Sequence, residues 1–437
     1  MVVVSKVGGG GERTPALWPP AMPSQGLLLL SLALGAQAVD LFTAYSGVPG
    51  FPPCFRQPIL QVLNASHLLA FAEGRYNGYC SGGADGSNSS VWVRRSADGG
   101  ATWAPAVMLY DAPPQPDYLS CAHDERSGRA FVFIQTAPNM VVHSDDAGLT
   151  WSRAAPLNIS LPPGVTASPG VAHGIQVQGA LCAEPTCGGA AGRLVVAWVC
   201  HRKAAPGAAA PPPPPATAGD VSCVGCYSCL ATSDNGGATW RIAAAAVTSQ
   251  EGSREASIVQ LPASSHPGAP GAVIYVTQRN MGATPGHRWH SLSLDSGSSL
   301  SLFGTDPGLP DVDTKNWTVR SGRQRALPPP SPSSTPSLSH SAILPPNPPR
   351  AQGIVAGAAS IGGVVVVSTP MSATERADLA LFRSHDNAVT WAPGELLVPG
   401  PAGYSDLMAL NDTHGAVVCE NGEAEFAEKI SFLVVEK

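Results

Sequence analysis

An eight-residue pattern, S-x-D-x-G-x-T-W, recurs along the chain and constrains its fold more than any other feature. The copies begin at four serines: Ser96, Ser144, Ser233 and Ser384. Two copies carry one substitution each, Asn235 at the Asp position and Ala388 at the Gly position. Ser and Asp can accept backbone N–H groups across a tight turn, Gly relieves backbone strain, and Trp packs the turn onto a sheet. The separations between copies suggest one, two and three lengths of a common unit, which predicts small β-meanders repeated around a ring, a β-propeller.

The segments are predicted to stabilise the fold rather than to bind calcium, because no EF-hand spacing or terminal Glu follows them. Short apolar runs, such as residues 130–134, 194–199 and 272–276, are bounded by turn residues and favour an all-β domain. The 47 glycines and 43 prolines suit many turns. Two Pro-rich stretches, 204–219 and 327–350, are expected to be loop insertions within one domain, 39–437.

The charge pattern excludes some classes of partner. Only 13% of the 437 residues are charged and the net charge is −6, so there is no basic excess for binding nucleic acid. The sequence has no Gly-X-Y period, so it is not collagen-like. Few pairs of opposite charge are spaced to stabilise helices, which disfavours coiled coils and helical solenoids. The eleven histidines show no metal-binding spacing, so no metal or cofactor is expected.

The first 38 residues have the features of a signal peptide. An apolar run, 27–35, leads into Ala36-Gln37-Ala38, a small-x-small site after which cleavage is expected. The run is too short to span a bilayer unaided, so no stable membrane span is expected after cleavage; an uncleaved anchor is the alternative. Met22 is a second possible start.

Sequons and cysteines also favour the secretory pathway, with a lysosomal or secreted product. N-x-S/T sequons begin at Asn64, Asn88, Asn158, Asn316 and Asn411. The ten cysteines are even in number, as expected in an oxidising compartment. Cys223-x-x-Cys226-x-x-Cys229 is interpreted as disulfide cysteines rather than a metal site, because no matching His/Cys set lies nearby.

Two further motifs resemble those of sialidases. Residues 55–58, F-R-Q-P, resemble the F/Y-R-I-P motif that opens these enzymes, with Gln57 in place of Ile. Residues 69–75, L-A-F-A-E-G-R, resemble the segment that follows it. The repeated S-x-D-x-G-x-T-W segment is the pattern called an Asp box. With these boxes and the two motifs, residues from about 50 to 437 resemble lysosomal-type animal sialidases and bacterial exo-α-sialidases. The resemblance implies a six-bladed propeller.

Three arginines match the family positions that bind the carboxylate of sialic acid: Arg56, Arg279 and Arg376. A planar guanidinium recognises a carboxylate better than an ammonium does. Arg75 is either a further substrate contact or one half of a structural ion pair. Glu420 matches the family glutamate that orients the first arginine. Residues 174–176, G-I-Q, resemble a family segment on the substrate-facing side.

The resemblance also implies the catalytic groups. Tyr404, within G-P-A-G-Y-S-D-L, matches the nucleophile. A free phenol has a pKa of about 10 and needs a base, and Glu255 matches the glutamate that serves as one. Asp85, nine residues before Arg94, has the spacing of the aspartate that protonates the leaving group and then activates water. A neutral nucleophile avoids repulsion from the sugar's own carboxylate.

The prediction is therefore an exo-α-sialidase that removes terminal sialic acid from glycoconjugates with retention, without metal or cofactor. A non-catalytic Asp-box lectin or receptor is the main alternative. Such a binder would not need Asp85, Glu255 and Tyr404 together. A glycosidase or trans-glycosidase for a related 2-keto acid sugar is the second alternative, since the arginines recognise only the carboxylate.

Overall fold

The computed structural model describes residues 38–43, 52–76, 80, 88–113, 116–182, 187–202, 225–248, 250–280, 286–311, 356–372 and 375–437. All of them belong to one compact unit, Ala36–Lys437. Residues 1–37 of the predicted signal peptide, with Met22, lie outside the described residues. So do both Pro-rich insertions and Asp85.

β-Strands form nearly all the regular structure of the described residues. After β1 (Val39–Thr43), the first sheet contains β2 (Cys54–Val62), β3 (Leu68–Arg75), β4 (Ser89–Ser96) and β5 (Val107–Tyr110). The second sheet contains β6 (Leu119–Asp124), β7 (Arg129–Ile134), β8 (Met140–Ser144) and β9 (Ala155–Pro156). The third contains β10 (Ile159–Ser160), β11 (Val165–Pro169), β12 (Ile175–Gln176), β13 (Leu194–Arg202), β14 (Cys226–Ser233) and β15 (Trp240–Arg241). Nearly all neighbouring strands pair antiparallel; β10 and β15 are parallel.

The fourth sheet contains β16 (Ser253–Leu261), β17 (Val273–Asn280), β18 (Gly286–Ser293) and β19 (Ser301–Asp311). The fifth contains β20 (Gly357–Ile361), β21 (Val364–Pro370), β22 (Ala377–Ser384), β23 (Glu395–Ala409), β24 (His414–Asn421) and β25 (Lys429–Glu436), with β1 at its edge. Helical structure in the described ranges is limited to 3₁₀ turns at Gly179–Leu181, Cys187–Gly189, Ala244–Ala246 and Ala263–Ser265.

The fifth sheet has seven strands because β23 is 15 residues long and serves two neighbours. Its first half pairs with β22 and its second half with β24. The described strands therefore form five hydrogen-bonded sheets, whereas the family resemblance implied six blades. The N-terminal β1 completes this sheet against β25, with Val39 opposite Phe432.

The hydrophobic core is divided among the boundaries between consecutive sheets. Phe71 of the first sheet shares a cluster with Val132 of the second. Similar clusters join the second sheet to the third, the third to the fourth and the fourth to the fifth. Phe432 of the fifth sheet packs with Leu68 of the first, so the series closes. Apolar burial at every boundary stabilises an all-β, propeller-like fold.

The repeated segments form the same hydrogen-bonded turn at the ends of β4, β8, β14 and β22. In the copy at Ser144, the serine Oγ accepts the Gly148 N–H at 2.8 Å. Asp146 Oδ1 accepts the Thr150 N–H at 2.8 Å, and its Oδ2 accepts the Thr150 hydroxyl at 2.6 Å. The copy at Ser384 makes these contacts with Ala388 at the Gly position. Local polar side chains thus replace the backbone partners that a tight turn lacks.

A fifth turn of this kind begins at Ser293 and was not predicted. Asp295 Oδ1 accepts the Ser299 N–H at 2.8 Å, while Ser293 Oγ accepts the Gly297 N–H at 2.8 Å. Ser and Leu replace the usual Thr and Trp here. The predicted spacing of one, two and three units is therefore wrong. The five turns occupy consecutive sheets, and the long separations arise from inserted residues and from the copy that was missed.

Candidate active site

Arg56, Glu255 and Tyr404 each lie where the pairing of two neighbouring strands is irregular. The pairing register shifts after Arg56 in β2, around Glu255 in β16 and around Tyr404 in β23. Gln57 and Glu255 have left-handed backbones, with φ of 56° and 48°. Bulges re-aim side chains, and a left-handed non-glycine residue stores about 1–3 kcal/mol of strain. Two of the left-handed residues thus lie beside or at predicted site residues, Gln57 next to Arg56 and Glu255 itself.

Tyr404, Glu255 and Arg279 form the centre of the site. The Tyr404 hydroxyl donates to Glu255 Oε2 at 3.0 Å and accepts from Arg279 Nη1 at 3.0 Å. Arg279 Nη1 also donates to Glu255 Oε2. Glu255 is fully buried and Tyr404 is 5% exposed. Residues from β16, β17 and β23 therefore meet in one hydrogen-bonded group.

The environment fixes the protonation states of this pair. Burial raises the pKa of Tyr404, so the phenol is protonated at neutral pH. Burial also disfavours the charge on Glu255, but the cations Arg279 and Arg254 outweigh it and hold the pKa of Glu255 at about 2. The resting pair is a neutral phenol that donates to a carboxylate. This arrangement suits attack by the phenol oxygen with the proton moving to the carboxylate.

All three predicted carboxylate-binding arginines contact Tyr404. The guanidinium carbons of Arg56 and Arg376 lie 5.4 Å and 5.1 Å from the centre of its ring. The same two cations lie 5.1 Å and 4.9 Å from the ring centre of Phe426. Among the described residues, Arg376 has no carboxylate within ion-pair distance, and its Nε has no hydrogen-bond partner. The cluster therefore has donor capacity left for an anionic ligand.

Glu420 is a fully buried support for this cluster. Its Oε1 accepts Arg56 Nε at 2.7 Å and the Gln57 N–H at 2.8 Å. Its Oε2 accepts the Tyr404 N–H at 3.0 Å. The sequence predicted the contact with Arg56. It did not predict that the same carboxylate fixes the backbone of two further site residues.

Arg75 lies in the ion pair that was one of its two predicted roles. It is 1% exposed, and its Nε and Nη2 both donate to Glu73 Oε2, at 2.9 Å and 2.8 Å. The predicted acid/base Asp85 lies outside the described residues, and its role stays a prediction. Cys80 beside that segment forms a disulfide with Cys54, and its carbonyl accepts Arg56 Nη1 at 2.8 Å.

Two residues of the site were missed by sequence reasoning. The Tyr118 hydroxyl donates to Glu255 Oε1 at 2.9 Å, and Arg254 donates to the Tyr118 hydroxyl. Arg254 Nη2 lies 3.5 Å from the same Glu255 oxygen. Adjacency to Glu255 in the sequence could have signalled Arg254. Nothing in the sequence signals Tyr118, which is the residue before β6 of the second sheet.

A cavity of about 770 Å³ lies at the C-terminal ends of β2 and β16. Arg56 and Glu255 lie near the beginnings of the same two strands, away from the cavity. Its lining includes Gln61, Gln176 and Gln260. Residues 174–176 line this cavity, so the structure does not bring them to the group around Tyr404. Gln176 Nε2 instead donates to Asp124 Oδ1 at 2.6 Å, which ties two neighbouring sheets together.

Disulfides among the described residues agree with the interpretation of the cysteines. Cys200 pairs with Cys229, Cys182 pairs with Cys187, and Cys226 is also disulfide-bonded. Cys223 is outside the described residues. Within the described part of the chain, no cluster of His, Cys, Asp and Glu is arranged to hold a metal ion, and no helix is long and apolar enough to cross a bilayer.

A propeller-like all-β fold that brings together a tyrosine–glutamate pair and three arginines defines a sialidase-type domain. Residues 66–419 match the model of the BNR repeat-like domain family. The chain belongs to this family, within the sialidase superfamily.

Individual relatives agree with this assignment. A sialidase from Micromonospora viridifaciens is 27% identical over 409 residues, which cover 87% of this chain and 51% of the relative. The chain thus spans about half the length of that relative. The Hadza microbial sialidase Hz136 superposes with a TM-score of 0.62 at 16% identity, covering 92% of this chain and 68% of the other. The intramolecular trans-sialidase from Ruminococcus gnavus gives a TM-score of 0.60 at 14% identity, covering 91% and 96%.

Proposed function

We propose that the protein is a retaining exo-α-sialidase that hydrolyses terminal sialic acids of glycoproteins, glycolipids or oligosaccharides through a tyrosine nucleophile. The observation that carries the proposal is the Tyr404 hydroxyl, which lies 3.0 Å from both Glu255 Oε2 and Arg279 Nη1. A purely structural tyrosine would not need a buried carboxylate acceptor and three surrounding cations. A binding protein would need the cations alone.

In the proposed first step, Arg56, Arg279 and Arg376 hold the substrate carboxylate, and Tyr404 Oη attacks the anomeric carbon. The phenol proton passes to Glu255 as the new C–O bond forms, because the phenol oxygen becomes far more acidic as it bonds to carbon. The glycosidic C–O bond breaks, and Asp85 gives its proton to the leaving oxygen. Sialidases with a tyrosine nucleophile are known exceptions to the scheme of two catalytic carboxylates.

In the second step, water attacks the same carbon while Asp85 takes its proton. The bond to Tyr404 breaks, and Glu255 returns the proton to the phenol. Two inversions give retention. A neutral phenol suits this substrate because an anionic nucleophile would be repelled by the carboxylate beside the reacting carbon.

We also propose that the ring has six blades. The seven-stranded sheet divides into two four-stranded units that share β23: β20–β23, and β23–β25 completed by β1. The six boundaries that result each contain an apolar cluster, since Leu381 and Val417 share one between these two units. An experimental structure in which β22 and β24 pair with one straight, continuous β23 would contradict this division.

We further propose that the protein follows the secretory pathway to a lysosome or the cell exterior. Cleavage after Ala38 would leave β1 intact, because Val39 is its first residue and pairs with Phe432. The disulfides support an oxidising compartment. N-terminal sequencing of the mature protein should begin at Val39; a mature chain that retains residues 27–35 would contradict the cleavage.

The enzymatic proposal is tested with a fluorogenic α-sialoside. Wild-type protein should release the fluorophore, and Tyr404→Phe should lose at least about a hundredfold in kcat. Tyr110→Phe is a matched control, because Tyr110 is also buried but lies on β5, the edge strand of the first sheet opposite to β2 and Arg56. Wild type that binds the sialoside without turnover would support the lectin alternative instead.

Product analysis separates the remaining alternatives. Free sialic acid as the first product indicates hydrolysis, whereas an anhydro sugar or a sialylated acceptor indicates transfer. A panel of N-acylated and deaminated sialosides shows which 2-keto acid sugar is preferred.

A further inference from the structure

We propose that Tyr118 and Arg254 are positioning residues that fix the orientation of Glu255, so that one of its oxygens alone receives the proton of Tyr404. This inference rests on the proposed sialidase function and extends it to two residues outside the motifs that the sequence resemblance supplies.

The four side chains form a directed chain of hydrogen bonds. Arg254 donates to the Tyr118 oxygen. The Tyr118 hydroxyl then donates to Glu255 Oε1 at 2.9 Å, and the Tyr404 hydroxyl donates to Glu255 Oε2 at 3.0 Å. Each carboxylate oxygen thus has its own phenol.

The direction of the chain follows from what each group can do. A guanidinium can only donate, so the Tyr118 oxygen must accept from Arg254. The single hydroxyl hydrogen of Tyr118 is then left for Glu255. Burial raises the pKa of Tyr118 well above its usual value, so this hydroxyl keeps its hydrogen at any ordinary assay pH. Oε1 is therefore always occupied, and Oε2 is the oxygen turned toward Tyr404.

Packing holds the chain in place. Tyr118 is 6% exposed, and the Arg254 guanidinium carbon lies 5.2 Å from the centre of its ring. Glu255 has a left-handed backbone, φ 48°, and lies where the register between β16 and β17 shifts, so regular strand pairing does not define the direction of its side chain. Tyr118, the residue before β6, supplies that definition.

The same groups determine the charge on Glu255. Arg279 of β17 and Arg254 of β16 face it as cations. The hydroxyls of Tyr118, just before β6, and of Tyr404, on β23, face it as donors. Burial opposes its ionisation, and these contacts together hold its pKa at about 2. Removal of a cation or a donor must raise that pKa, because each contact favours the carboxylate over the acid.

Tyr118→Phe removes only the hydroxyl. The expected result is a loss of about tenfold in kcat with KM within twofold of wild type, because the arginines that hold the substrate carboxylate are unchanged. The pH profile should also shift. Activity requires ionised Glu255, so the acid limb of kcat/KM, which lies below the working range in wild type, should move to higher pH.

Arg254→Met removes the cation and the donor while keeping the length of the side chain. Its acid limb should move further upward than that of Tyr118→Phe, since a full charge is lost beside the carboxylate. Arg254→Lys keeps the charge and one donor, and should restore the acid limb to within about half a pH unit of wild type.

Tyr110→Phe is the control, with kcat, KM and pH profile expected to match wild type. Thermal melting of each variant shows that it is folded at the assay temperature. An unchanged kcat and acid limb in folded Tyr118→Phe and Arg254→Met would overturn the inference while wild-type turnover leaves the proposed function standing. No turnover by wild type would instead overturn the proposed function. If Tyr118→Phe does not fold, the contrast between Arg254→Met and Arg254→Lys decides the inference.

Discussion

Glu420→Gln is the most informative perturbation of the support beneath the arginine cluster. The carboxylate is fully buried, and it accepts Arg56 Nε at 2.7 Å, the Gln57 N–H at 2.8 Å and the Tyr404 N–H at 3.0 Å. An amide has only one oxygen. In either orientation its NH₂ faces an N–H donor, and Arg56 loses the anion that neutralises it.

The expected cost is set by burial. Removal of one partner from a buried ion pair costs about 3–5 kcal/mol, because the other charge remains buried without compensation. Glu420→Gln should lower the free energy of unfolding by this amount in urea titrations at neutral pH. It should also raise KM for a sialoside by at least about tenfold, since Arg56 would no longer be held in one orientation.

Asp145→Asn provides the matched control. The Arg129–Asp145 pair is just as short, at 2.6 Å, but its side chains are 38% and 56% exposed. Water screens such a pair, so the change should cost less than about 1 kcal/mol and leave KM unchanged. The reasoning is refuted if Glu420→Gln lowers the free energy of unfolding no more than Asp145→Asn does. It is also refuted if Glu420→Gln lowers the free energy of unfolding as expected but leaves KM at the wild-type value.

Three further predictions concern the turns and Arg376. Ala388→Gly should stabilise the protein by about 0.5–1 kcal/mol in chemical unfolding, because Ala388 has a left-handed φ of 67° that glycine adopts without strain. Gly237→Ala, at φ 83°, should destabilise the protein by more than about 2 kcal/mol, because the new Cβ would meet the ring of Phe131. Equal and opposite effects of the two changes would contradict this reasoning. Asp146→Ala should lower the melting temperature more at pH 6 than at pH 2. Hydrogen bonds to the threonine of the turn hold the pKa of Asp146 at about 2, below its value in the unfolded chain, so the stabilising effect of the carboxylate diminishes as pH falls through that value; a difference independent of pH would exclude the carboxylate as its source. Arg376→Met should raise both the melting temperature and KM, since it removes a cation that has no carboxylate partner among the described residues; a lower melting temperature would show that the cation stabilises the fold.

The fold was predictable to the extent that it depends on local sequence. The repeated turn needs its Ser, Asp and Gly within a few residues, so the pattern identifies it directly. The copy at Ser293 was missed because Leu300 and Ser299 stand where Trp and Thr were required, although the hydrogen-bonding residues remain. The predicted number of units between successive copies was wrong, because inserted residues lengthen some sheets and not others.

The site was predictable where a residue lies in a motif and not where it reaches the site through the fold. Arg56, Glu255 and Tyr404 each lie in a recognisable segment, and the structure brings them together. Tyr118 has no such segment; it contacts Glu255 across 137 residues of sequence. The double role of Glu420 was also hidden, because accepting two backbone N–H groups depends on bulges that the sequence does not display.

The central claim is that Tyr404 becomes covalently bonded to the sugar, and trapping that bond tests it most directly. In a sialosyl fluoride with a second fluorine at carbon 3, that second fluorine slows both formation and breakdown of the intermediate, because it disfavours positive charge at the neighbouring anomeric carbon. The anomeric fluoride is a good leaving group and restores the rate of formation, so the intermediate should accumulate. Mass spectrometry of the quenched, digested protein should then show one added sugar on the peptide that contains Tyr404, and none in Tyr404→Phe. A wild-type protein that turns over sialosides but carries the sugar on another residue, or on none, would contradict the account.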